Sequence, residues 1–186
     1  MFRQIIVNVS LICLTFFLFD GCKKDKKQDV ELEYPISFID YMEIDTTNVD
    51  SFVTRESIDF PTALDGDLAK NNTSKEKIKS ARLVYLRLQV LDYAYADSAH
   101  YANLSDISEI SLDIKKDGIG QHTVAHKLIP DVRTKNIIMD LTDVELRDYL
   151  KQDNFRFVAR YKKRRPMPNQ MPYSIVLKFK VIAEPL

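Results

Sequence analysis

The chain has 186 residues, 45% of them hydrophobic and 29% charged, and its 27 basic side chains balance 27 acidic ones. That is the make-up of one modest globular domain, and zero net charge excludes a whole-surface electrostatic grip on nucleic acid. Four glycines exclude a collagen-like or glycine-rich linker protein.

The first element is an apolar run. Met1-Phe2-Arg3-Gln4 leads into Ile5 to Phe19, broken only by Asn8, Ser10 and Thr15, and then comes Asp20-Gly21-Cys22. A basic residue followed by a short apolar stretch is the grammar of a signal peptide, whereas a membrane-spanning helix needs about 20 apolar residues. The residues Phe19-Asp20-Gly21-Cys22 resemble the end of a bacterial lipoprotein signal of the Bacteroidota type, cut before a cysteine that accepts a diacylglycerol. The resemblance implies a mature chain beginning at Cys22, held to the outer membrane by its acyl chains. Cys13 departs with residues 1–21, so Cys22 is the sole cysteine left, and acylation accounts for a thiol that has no disulfide partner.

Residues 22–33 form a polar tether that includes Lys23-Lys24-Asp25-Lys26-Lys27. Lys24-Asp25 resembles the start of a surface-display signal of the same lipoproteins, with Lys26 where a second acid is usual. The lysines suit a spacer lying on anionic headgroups equally well, so the membrane face stays open between the two.

From Tyr34 to Leu186 the dominant period is two, the spacing of strands. Ile36, Phe38, Met42 and Ile44 share one parity. Val84, Leu86, Leu88 and Val90 form an inward face opposite Tyr85, Arg87 and Gln89. Ile110, Leu112 and Ile114 repeat the pattern, as do Phe155, Phe157, Ala159 and Tyr161, and then Tyr173 to Val181. Turns are expected at Asp65-Gly66, at Asp117-Gly118 with Gly120, at Pro130 and at the Pro166, Pro168 and Pro172 cluster. The expected fold is all-β, an immunoglobulin-like antiparallel β-sandwich of seven or eight strands, alike in architecture only since the antibody disulfide and tryptophan are missing. One short helix is expected, opened by a Thr142/Glu145 capping box and placing Leu146, Tyr149 and Leu150 on one face across an end of the sandwich. The order of strand, Gly118 turn, helix and closing hairpin resembles Bacteroidota lipoproteins over most of the mature chain, and that resemblance implies no mechanism.

Few residues suggest chemistry. His122 and His126 are four apart, but on a strand that separation is about 13 Å, too far for one metal ion, and His100 stands alone. No nucleophile elbow, catalytic cysteine or phosphate loop is present, so neither catalytic residues nor a cofactor is expected. The segment Asp92 to Asn103 carries Tyr93, Tyr95 and Tyr101 with Asp97 and Asn103, flat rings and hydrogen-bonding groups suited to a sugar or a protein, or else rings packed on the end of the sandwich. Lys162-Lys163-Arg164-Arg165 offers four adjacent cations for an anionic polymer, or a guard on a strand edge. Asp45-Thr46-Thr47 and Asp97-Ser98-Ala99 resemble the O-glycosylation sequence of Bacteroidota exported proteins, marking Thr46 and Ser98. The expectation is a lipid-anchored envelope domain that binds or scaffolds an envelope protein or glycan without catalysis and without nucleic acid. A glycan-binding accessory lipoprotein using the tyrosine segment is the alternative, and an envelope hydrolase a third class.

Overall fold

The structure is a computed structural model, and it describes residues 28–42, 49–57, 59–91, 103–166 and 171–186. The strands are β1 (Val30–Met42), β2 (Phe52–Glu56), β3 (Phe60–Pro61), β4 (Ile78–Val90), β5 (Ile107–Lys116), β6 (Gly120–Leu128), β7 (Asn136–Ile138), β8 (Asp140–Leu141), β9 (Asn154–Lys163) and β10 (Met171–Ala183). Helix α1 (Asp65–Lys70) follows β3 and helix α2 (Arg147–Leu150) precedes β9. One sheet has the order β1-β10-β4-β7, and the other β2-β9-β5-β6-β8, with β3 also paired to β9. All pairings are antiparallel.

The expected all-β sandwich is therefore present, and its likeness to immunoglobulin domains stays at the level of two packed sheets. Among the strands longer than two residues the chain crosses between sheets at every step except β5 to β6, and the first and last strands pair. That order is a jelly roll, two Greek keys folded together. Among the described residues there are ten strands rather than seven or eight, because β3, β7 and β8 are pieces of two or three residues too short to show a period.

Strand β10 is the spine of the smaller sheet. Its inward residues Met171, Tyr173, Ile175, Leu177, Phe179, Val181 and Ala183 are all buried. It pairs with β1 over thirteen residues without a break in register. The pairing starts at Val30, four residues before the expected domain start at Tyr34, because β10 extends to Ala183 and gives Val30 to Glu33 a partner. Glu31 and Glu33 face Lys180 and Lys178 at 2.9 and 3.8 Å.

On its other side β10 meets β4 through a bulge. Phe179 pairs with Leu83 and Lys178 with Tyr85, leaving Val84 extra. One added residue reverses the alternation, so Leu83 and Leu86 both point inward while Val84, expected in the core, is 44% exposed. A second bulge lies between β5 and β6. Leu112 pairs with Ala125 and Asp113 with Thr123, so Val124 and Ala125 are both buried and Leu128 is turned to solvent.

The side where β1 and β2 have no further strand is closed by side chains. Phe38 stacks on Phe157 at 5.2 Å and tilts against Phe60 at 4.4 Å. Asp40, on the inward parity of β1, accepts from Arg55 Nε at 2.9 Å, from Tyr173 Oη at 3.3 Å and from the Tyr41 N–H at 2.8 Å. With Pro35 lacking an N–H, these contacts leave β1 a poor template for a further strand.

The expected turn at Asp65-Gly66 instead opens α1, whose Leu64 and Leu68, one helical turn apart, are fully buried. The Thr142/Glu145 capping box does not form. Thr142 Oγ1 donates to the Thr123 carbonyl at 2.7 Å and its N–H to Val124. The Glu145 carboxylate instead accepts the Ala81 N–H at 2.7 Å and the Arg147 N–H at 2.9 Å. The physical reason is the β4 edge: β7 covers only Arg87 to Gln89, so lower down Glu145 and the Leu146 N–H, donated to the Ala81 carbonyl, stand in for a missing strand. Leu146, Tyr149 and Leu150 are buried on one side of α2, as expected.

Replacing Leu177 with alanine should cost about 2–5 kcal/mol of unfolding free energy. Val176→Ala, on the half-exposed outer face, should cost under about 1 kcal/mol. Urea denaturation reads the two, and equal losses would contradict the register of β10. Glu145 gives a pH-dependent case. Burial alone would raise its carboxyl, but hydrogen bonds from Ala81, Ser80 and Arg147, with the charge of Arg82, hold it below the ordinary 4.5. A depressed value stabilises the fold fully above the unfolded pKa, and the effect vanishes as pH falls through the folded one. The stability gap between wild type and Glu145→Gln, measured by urea titration, should therefore close as the solution is acidified below that range.

Candidate functional site

The register sets the polarity of the domain. Met42 pairs with Met171, and Tyr173 pairs with both Asp40 and Val90, so the end of β1, the end of β4 and the start of β10 share one end of the sandwich. The start of β1 and residues 28–29 lie at the other end, where Asp29 meets Lys79 at 2.9 Å. Thirteen residues at about 3.3 Å each put roughly 40 Å between the two ends. The end formed by Met42, Val90 and Met171 is the distal end, and that formed by Val30 and Ala183 the proximal end.

The four cations sit at the distal end, and their roles correct the idea of a free basic tip. Lys163 continues the inward parity of Phe155 to Tyr161 and is fully buried, while Lys162 points outward, its ammonium 3.9 Å from Asp50. Arg164 turns back over the chain. Its guanidinium donates to the carbonyls of Ser105 at 2.5 Å, Ile129 at 2.6 Å and Ile107 at 3.3 Å. Arg165 binds Asp131 and, at 3.4 Å, Asp106, and its hydrogen bond holds the Asp131 carboxyl below its ordinary value. Arg164 is thus a clasp that joins its own turn to the Ser105–Ile107 segment and to Ile129.

Asn103 is also spent on structure. Its Oδ1 accepts the N–H groups of Ser105 at 3.1 Å and Thr134 at 2.9 Å, starting the single turn at Leu104–Asp106. Tyr93, Tyr95, Tyr101, Asp97 and Ser98, together with Thr46 and Cys22, lie outside the described residues. So does Ile44.

The histidines are apart in role as well as position. His122 Nδ1 is 2.7 Å from the Tyr149 hydroxyl, while His126 is exposed opposite Ser111. Among the described residues, no three His, Cys, Asp or Glu side chains gather to hold a metal ion. Asp113 is the buried carboxylate of the larger sheet, and Arg160 at 3.0 Å and Gln121 at 2.6 Å neutralise and hydrogen-bond it. An open depression of about 400 Å³ at the proximal end is lined by Gly118, Ile119, Asp148, Lys151 and Gln152. Its Asp148 carboxyl lies below the ordinary value because Arg147 donates to it at 2.9 Å.

Apolar exposure is uneven in a way the sequence did not reveal. Ile39, Tyr41, Val49, Phe52, Leu128 and Val132 are large, exposed and distal, Val84 and Ile138 are exposed along the β4–β7 side of the smaller sheet, and Leu186 is exposed at the proximal end, among the described residues. Ile39 and Tyr41 lie on the outer face of the smaller sheet and Phe52 and Leu128 on that of the larger, so the distal end carries apolar side chains on both faces.

No family model matches the sequence, and no curated protein matches it. Solved structures that resemble it include one of Desmodium yellow mottle tymovirus, 11% identical with a TM-score of 0.30 over 86% of this chain and 90% of that one. Another is the decameric BFDV capsid protein, 9% identical with a TM-score of 0.38 over 84% of this chain and 99% of that one. Likeness at this level carries no argument about function.

If Arg164 is the clasp described, Arg164→Ala should cost about 1–3 kcal/mol by stranding buried carbonyls. Arg165→Ala, which loses an exposed pair, should cost under about 1 kcal/mol. Thermal melts compare them, and an Arg164→Ala protein as stable as wild type would return the cluster to a surface role.

Proposed function

We propose that this chain is a lipid-anchored cell-envelope domain, tethered to the outer membrane through Cys22, that binds or scaffolds a partner without catalysing a reaction. The observation that carries this reading is the opposition of the two ends. The tether would enter at the start of β1, and six of the nine large exposed apolar side chains among the described residues lie toward the other end, roughly 40 Å away. An anchored domain whose contact surface faces away from its anchor presents that surface to whatever lies beyond the membrane face. The ionisable groups in view are engaged with one another, Asp113 with Arg160 and Asp148 with Arg147, which suits a binding role.

A glycan partner is the second reading. Leu91 and Asn103 flank the segment that bears Tyr93, Tyr95 and Tyr101, and both stand at the distal end, since Leu91 donates to Pro172 and Asn103 accepts from Thr134. Tyrosine rings with neighbouring polar groups suit a sugar as they suit a protein.

Membrane extracts analysed by mass spectrometry should yield a chain starting at an acylated Cys22, and Cys22→Ser should release the protein to the soluble fraction. A membrane-bound chain retaining Met1 would overturn the anchor. For the binding role, a photocrosslinking residue at Val132 should trap an envelope component in cells, while the same residue at Lys70, near the tether end, should not. Adducts from Lys70 alone would overturn the distal surface.

A further inference from the structure

One row of four side chains crosses the distal margin of the larger sheet on its outer face. Phe52 on β2 stands opposite Lys162 on β9, Lys162 opposite Glu109 on β5, and Glu109 opposite Leu128 on β6. Opposed residues project from the same face, and strands lie about 4.8 Å apart, so the row is about 14 Å long. Its ends are apolar and open, with Phe52 55% exposed and Leu128 70% exposed. Its middle is a half-exposed cation beside a half-exposed anion.

We infer that this row is the contact between two copies of the chain, related by a two-fold axis parallel to the strands. Charge complementarity selects that axis. Read from β2 to β6, the row runs apolar, positive, negative, apolar. A two-fold along the strands reverses that order in the facing copy. Phe52 then meets Leu128 of the second copy and Lys162 meets Glu109, each contact occurring twice as closed symmetry requires. A two-fold across the strands keeps the order and sets Lys162 on Lys162 and Glu109 on Glu109. Like charges brought face to face reject that arrangement. The next row inward tolerates the favoured one: Thr54 faces His126 and Arg160 faces Ser111, with no like-charge pair.

The selected axis also places both tethers at the same end. This step rests on the lipid-anchored reading: two chains held by Cys22 in one membrane meet side by side without turning over. Confinement to the membrane raises their effective concentration, so a contact of two apolar pairs and two ion pairs suffices there although it is weak in free solution.

The test uses the full-length protein in its own membrane. Phe52→Cys and Leu128→Cys chains carrying different tags are co-expressed and treated with a short thiol-to-thiol crosslinker. The mixed pair should crosslink at least about tenfold more than either variant alone, because facing positions lie across one sheet-to-sheet spacing while like positions are also offset by about 14 Å. Equal crosslinking by Phe52→Cys alone would overturn the proposal.

Charge reversal gives the second arm. On the Cys-bearing chains, Lys162→Glu in both copies, or Glu109→Lys in both, should bring crosslinking to background. One copy carrying Lys162→Glu and the other Glu109→Lys should restore it, since each altered side chain then meets the opposite charge. A pair wholly internal to one chain cannot be rescued in this way, so failure of rescue overturns the contact, provided thermal melts show the variants folded. Crosslinking of the unsubstituted chain would come from a free Cys22, or from Cys13 in an unprocessed chain, and would fault the anchor, which separates the two readings.

Discussion

Everything else in this domain is built on β10, seated between β1 and β4 and paired to both along nearly its whole length. A jelly roll joins strands distant in sequence, and here the central strand of the smaller sheet is the last one made. Until it is in place, β1 and β4 have no common neighbour and the larger sheet has nothing of full length to pack on. The seven buried side chains of β10 are therefore a structural spine, and their burial fixes which face of every adjoining strand turns inward.

Two bulges qualify that rule and supply much of the molecule's surface character. By inserting Val84 opposite the Lys178–Phe179 step, the chain turns an apolar residue outward and still keeps Leu83 and Leu86 in the core. The bulge at Val124 does the same on β6, and its consequence is Leu128, an open leucine at one end of the Phe52 row. A device that bends a strand thus also decides which apolar side chains remain for a partner.

Polar side chains finish what the strands leave open. Glu145 completes the β4 edge, Asp40 ties the open sides of the sheets together, and Arg164 gathers three carbonyls at the distal end. Each is charged and accessible in part, so each looks like a binding residue when read in isolation. Their partners are 15 to 64 positions away in the chain, at Arg55, at Ala81 and at Ser105. Once those groups are taken up, the reading of the surface moves from its charges to its apolar residues.

Alternation with period two determined by itself that this chain is an antiparallel sandwich, because burying one face of a strand leaves its mark on every second residue. It located the long strands and the inward faces of β5, β9 and β10, and helical spacing located the buried side of α2. The short strands, the bulges and the Asp65–Lys70 helix escaped it: two residues carry no period, one inserted residue reverses the period, and Asp-Gly is turn chemistry whether or not a helix follows. For the candidate site, the sequence named the cations of 162–165 and Asn103 but not their partners. The row of Phe52, Lys162, Glu109 and Leu128 is drawn from residues 52 to 162 and becomes a row only when four strands are laid side by side. Local pattern reports what each residue needs, burial or water. Which residues satisfy one another, and which are left over, is decided by the pairing of distant strands.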